Sequence, residues 1–194
     1  MSLNVGLIAL EGNHLGELLE FFGDAGYRLG GVEWLSTDDT AKFLDAAKPD
    51  EIVKAVYFDT HWTVIIDPEL VIATNACALS TYARDNACRI CACVCADTGG
   101  AYSFALYAAS GQTLRAIDVS GGVITHNIGE PLKGEPDPLC LDETTTIALF
   151  TKIASRYEYF EVEREYTVYT LVDKERELAS LLKKAAKKPW WKFW

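Results

Sequence analysis

Cys91, Cys93 and Cys95 alternate along Ile90-Cys91-Ala92-Cys93-Val94-Cys95-Ala96, and three closely spaced thiols are soft ligands that zinc favours. On a strand, however, they would share one face with about 7 Å from each to the next, given a rise of roughly 3.3 Å per residue. That is too far for them to bridge one another without distortion. Zinc sites take cysteine pairs two to four residues apart across a turn, a geometry a straight strand does not supply. The spacing fits reduced cysteines serving as small apolar residues, with Ile90, Ala92, Val94 and Ala96 on the opposite face. Cys77, Cys88 and Cys140 could still approach this strand in space, so a metal bound by Cys91, Cys93 and Cys95 remains an alternative. Elemental analysis of metal per chain distinguishes the two.

Material for acid–base chemistry is sparse. Asp118, His126 and Glu130 could form a general acid–base set if the fold brought them together. His61, between Thr60 and Trp62, belongs to no nucleophile or metal motif, and neither does His126. The chain carries no phosphate-binding glycine loop of the Walker or dinucleotide pattern, so no cofactor is expected. Turn chemistry accounts for Asp97, Asp118 and Glu130 as well as catalysis would. The expectation is therefore a non-enzymatic protein, with a small hydrolase or metal-dependent enzyme centred near Asp118 and His126 as the alternative.

The C-terminus offers a different chemistry. Residues 174–194 hold seven Lys or Arg against two Glu, a net of +5; taken from the whole-chain −10, this leaves −15 for residues 1–173. Lys187, Lys188, Trp190, Trp191, Lys192, Phe193 and Trp194 form a basic, aromatic tail suited to a protein partner or to an anionic membrane surface. The same tail could also lie against its own acidic body. So acidic a body repels phosphate backbones, which argues against nucleic acid as a ligand.

These residues need elements to hold them. Asn4–Leu10 reads as a first strand, followed by a helix capped at Asn13 with Leu15, Leu18, Leu19 and Phe22 on one face and His14 exposed in its first turn. Residues 27–35 suggest a second strand, weakened by Gly30-Gly31, and Ser36-Thr37-Asp38-Asp39 caps a short helix ending before Pro49. Residues 52–58 and 62–66 form a hairpin, and residues 69–84 a helix. Residues 88–119 make a three-stranded antiparallel meander, turning at Asp97-Thr98-Gly99-Gly100 and Ala109-Ser110-Gly111-Gln112. A brief strand over 123–125, a surface loop over 133–138, a helix capped by Asp142 and a final strand over 160–172 follow. An unprotected edge at that last strand would permit dimerisation. The fold class expected is α+β, with a largely antiparallel central sheet flanked by helices. Residues 1–173 form one domain and residues 174–194 a basic amphipathic helix and tail.

With 49% hydrophobic and 24% charged residues the chain can build a core and is not disordered. No apolar run approaches the roughly 20 residues of a membrane span. Met1-Ser2-Leu3-Asn4 lacks the basic residues of a secretory signal, so a cytoplasmic location is expected.

One stretch has a wider echo. From Gly99 to Glu135 the order is a glycine turn, Phe104-Ala105-Leu106-Tyr107, Gly111, Leu114-Arg115, a second glycine turn, Gly129-Glu130-Pro131-Leu132 and Glu135. This order resembles that of small uncharacterised bacterial α+β families, including immunity-protein-like families of toxin systems, over about a fifth of the chain. The resemblance implies a binding protein that blocks a partner, and it supplies no catalytic residues.

Overall fold

The computed structural model of the protein describes residues 4–48, 51–154 and 162–186. Its framework is nine strands: β1 (Asn4–Glu11), β2 (Tyr27–Ser36), β3 (Ile52–Asp59), β4 (Trp62–Asp67), β5 (Ile90–Ala96), β6 (Ala101–Tyr107), β7 (Thr113–Ser120), β8 (Val123–Ile128) and β9 (Glu165–Asp173). They form one sheet in the order β2-β9-β3-β4-β1-β5-β6-β7-β8, and every neighbouring pair is antiparallel. Five helices accompany it: α1 (Leu18–Asp24), α2 (Thr37–Ala46), α3 (Ala76–Asp85), α4 (Glu143–Ile153) and α5 (Lys174–Ala186). The protein is thus α+β with an antiparallel sheet.

The period-two alternation of the strands divides the core into two layers. On the face defined here as upper, Leu7 and Ala9 of β1, Val64 and Ile66 of β4, Cys91, Cys93 and Cys95 of β5, and Phe104, Ile117 and Val119 further along pack with Leu149 and Phe150 of α4. On the lower face, Ile8, Ile65, Ile90, Ala92 and Val94 pack with Leu18, Phe21 and Phe22 of α1 and with Leu79, Tyr82 and Ala83 of α3. The cysteine strand is therefore apolar on both sides because both sides are covered.

Several local readings carry over with shifted boundaries. Ser36 caps α2 by accepting from the Asp39 N–H, and Asp142 caps α4 in a reciprocal capping box with Thr145. The helix expected over 69–84 is only its second half. Asp67 Oδ2 accepts the N–H groups of both Ile72 and Ala73 at 2.8 Å, and Leu70 takes a left-handed conformation with φ +62°, so α3 waits for its cap at Asn75. Strand β8 runs three residues further than expected and takes His126 out of the turn and into the ladder. The last strand is not an edge. β9 lies between β2 and β3, and the edges are β2 and β8.

Candidate functional site

The lower face is covered unevenly. Its core draws no residue from β7 or β8, and from β6 it takes only Tyr107 and the partly buried Ala105. The upper side of the same three strands is filled by Phe104, Leu106, Ile117 and Val119. Three strands therefore form a wing that has a core above and, among the described residues, a bare face below. Register places Ser103, Ala105, Ala116, Asp118, His126 and Ile128 on that face: Ser103 opposes Asp118, Ala105 opposes Ala116, Asp118 opposes His126 and Ala116 opposes Ile128. Small residues at its centre leave the sheet low, and exposed Val123 and Ile128 stand at its outer strand.

An arginine holds the wing in place. Arg115 is fully buried, and its Nε donates to Glu135 at 2.9 and 3.1 Å while Nη2 donates at 2.5 Å. Its Nη1 donates to Asn127 Oδ1 at 2.6 Å and to the Ile128 carbonyl at 2.8 Å. Glu135 also accepts the Leu132 N–H at 2.9 Å. Burial by itself would raise the Glu135 carboxyl, but the guanidinium and this N–H overcome it and hold the group below its ordinary range. Gly129 closes the turn with φ +80°, where a Cβ would come within 2.0 Å of the Leu114 carbonyl oxygen. Leu114-Arg115, Gly129 and Glu135 are thus parts of one clamp that ties β8 and the following loop to β7.

Of the acid–base candidates, Asp118 and His126 do become cross-strand neighbours. Burial raises the Asp118 carboxyl above its ordinary range, against the opposing pull of His126. Glu130 is exposed beyond the end of β8, and no hydrogen bond or ion pair joins it to the other two. Among the described residues, clefts of about 230, 400 and 430 Å³ lie elsewhere and are lined by neither Asp118 nor His126. An open sheet face presents charge and shape to a partner, whereas catalysis gains most where water is excluded.

Cys91, Cys93 and Cys95 all point into the upper core. Burial pushes their thiols up, that of Cys95 to about 12. Among the described residues no three His, Cys, Asp or Glu side chains gather as a metal site. Lys187, Lys188, Trp190, Trp191, Lys192, Phe193 and Trp194 lie outside the described residues. No described helix is long and apolar enough to cross a membrane.

Two polar clusters escaped sequence reasoning. Lys54 is wholly buried on the lower face, 2.7 Å from Asp67 Oδ1 and in contact with Glu69, which also accepts the Val53 N–H at 2.8 Å. The Asp67 contact is an ion pair without hydrogen-bond alignment. A lysine at an inward position between Val53 and Ala55 was the available signal. His14 is buried instead of exposed. Asn13 does not cap a helix; the chain turns first, and α1 begins after Glu17. The His14 ring therefore lies against Tyr82, with Nδ1 2.8 Å from Glu17 Oε2 and Nε2 2.9 Å from the Glu11 carbonyl oxygen.

No family model, curated protein or solved structure matches this chain.

Proposed function

We propose that this protein is a non-enzymatic protein-binding domain, of the immunity type that the Gly99–Glu135 resemblance suggests, and that it engages its partner on the bare lower face of β6–β8. The observation that supports this reading is the uneven cover of the sheet: a face bearing Asp118, Val123 and Ile128 that is packed from above and, among the described residues, left unpartnered below. An antiparallel sheet can keep one face in water, but exposed Val123 and Ile128 on the edge strand give this face an apolar margin that a partner can cover. The −15 charge of residues 1–173 selects for a basic partner and speeds the encounter.

The test is capture from native lysate by three forms: the intact chain, a Val123→Lys/Ile128→Lys variant, and a chain ending at residue 186. A partner bound by the intact and shortened chains and lost by the double variant is the expected result. Retention by the double variant overturns the face as the site, and loss on shortening assigns binding to the tail.

A further inference from the structure

The other end of the sheet presents a second unpartnered feature, independent of the wing. β2 is a ten-residue edge strand, and no described strand pairs with its outer side. Trp34 is 77% exposed on it, Leu29 is also exposed, and Glu33 forms no ion pair or hydrogen bond among the described residues. The pairing with β9 fixes which way each side chain faces. Tyr27, Leu29, Val32 and Trp34 lie on the lower face, opposite Asp173, Leu171, Tyr169 and Thr167. Arg28, Gly31 and Glu33 lie on the upper face, opposite Val172, Thr170 and Val168. Gly30 is the extra residue of a bulge between them.

We propose that β2 is a dimerisation strand, pairing antiparallel with β2 of a second copy of this chain about a two-fold axis at Gly31. A two-fold axis normal to the sheet requires each residue to meet a partner on its own face, which restricts the permitted registers. With Gly31 on the axis and Gly30 set aside as the bulge, Val32 faces Leu29 of the other copy, Glu33 faces Arg28, and Trp34 faces Tyr27. All three pairs match in face, and each occurs twice by symmetry. Two are apolar or aromatic and the third is an opposite-charge pair, the combinations that stabilise cross-strand neighbours. Centring the axis on Glu33 would instead set like charges against each other.

The central position is also permissive. A Cβ at Gly31 would meet nothing within 4 Å, so the backbones can approach. Bulges and edge charges commonly blunt an edge against promiscuous pairing. Here the charges are spaced so that an inverted copy satisfies them, so they select that copy and repel other strands. Arg28 holds Glu177 of α5 in a bidentate pair at 2.5 and 2.7 Å and donates to the Leu29 carbonyl at 3.2 Å, but its side chain is half exposed, so Glu33 of the second copy can join that pair from the open side.

Sedimentation equilibrium of the full chain over a concentration series tests this. The wild type is expected to dimerise, Glu33→Arg to weaken the dimer at least about tenfold by facing Arg28 with a like charge, and Arg28→Glu/Glu33→Arg to restore it. Trp34→Ala, at a position too exposed to be needed for folding, is expected to weaken it as well. In a Cys77→Ser/Cys140→Ser background, which removes the exposed thiols, Gly31→Cys should form a disulfide dimer under mild oxidation that neither the background chain nor Leu35→Cys forms, because only residue 31 meets its own symmetry mate. A wild type monomeric throughout, or a dimer indifferent to Glu33→Arg and Trp34→Ala, overturns the proposal.

Discussion

The centre of the sheet and its β6–β8 wing solve the same problem by different means. Strands β4, β1 and β5 are covered above by α4 and the upper core and below by α1, α3 and the segment before α3. The buried charge there, Lys54 between Asp67 and Glu69, fixes a loop: one Asp67 oxygen pairs with the ammonium while the other caps the Ile72 and Ala73 N–H groups. Among the described residues the wing is covered by α4 above, while below α3 reaches only β6. The wing's buried charge, Arg115 with Glu135, Asn127 and three main-chain carbonyls, ties the outermost strand to its neighbour. Where packing is two-sided, an ion pair shapes a turn; in the wing, an ion pair on the covered upper side ties the edge strand to its neighbour.

Removing the wing's clamp breaks this comparison most severely. Arg115→Met leaves Glu135 buried without its cation and should cost about 3–5 kcal/mol in urea unfolding, with much of the loss recovered in Arg115→Met/Glu135→Met. A double variant as unstable as the single would show that the charge pair itself, and not the unpaired carboxylate, holds the wing.

At the centre, Lys54→Met is expected to cost somewhat less, about 2–4 kcal/mol, because Asp67 keeps two N–H donors and Glu69 is partly exposed. Amide exchange should then quicken in residues 68–75 while the wing stays protected. Equal loosening of both regions would mean that they do not respond separately.

The smallest effect is expected at Asp118. Burial raises its carboxyl in the folded state, so folded protein binds that proton more tightly than unfolded chain. Its contribution to stability is thus fully present at pH below the folded-state value and unfolded value alike, and declines as pH rises from about 3.9 through the raised folded value. Asp118→Asn should melt slightly higher than wild type at pH 7, with the gap closing below about pH 4. A variant that melts lower at pH 7 would show that the Asp118–His126 pairing outweighs desolvation.

Much of the local structure was legible. The meander followed from alternating apolar residues broken by glycine turns, and the caps at Ser36 and Asp142 followed from side chains that satisfy helical N–H groups. Turn residues also marked Gly129 and Glu135, but only the folded chain shows that one buried arginine gathers them. The helix that failed over 69–74 failed because Asp67, five and six residues upstream, took the N–H groups of Ile72 and Ala73, and what holds that carboxylate in place is the buried Lys54 of another strand. His14 was misplaced for a similar reason: its partners Glu11 and Tyr82 are three residues away in one direction and sixty-eight in the other.

The sequence by itself determined the strands, most turns, the helix caps at Ser36 and Asp142, the acidic body and the buried character of the cysteine strand, because each depends on neighbours a few residues apart. Only the tertiary structure decided that β9 enters between β2 and β3 and that, among the described residues, β2 and β8 are the edges and the lower face of β7 and β8 is bare. Those outcomes depend on which distant strands share hydrogen bonds and on how far the helices reach across them, and the periodicity of a strand is the same whether its neighbour is another strand or a partner.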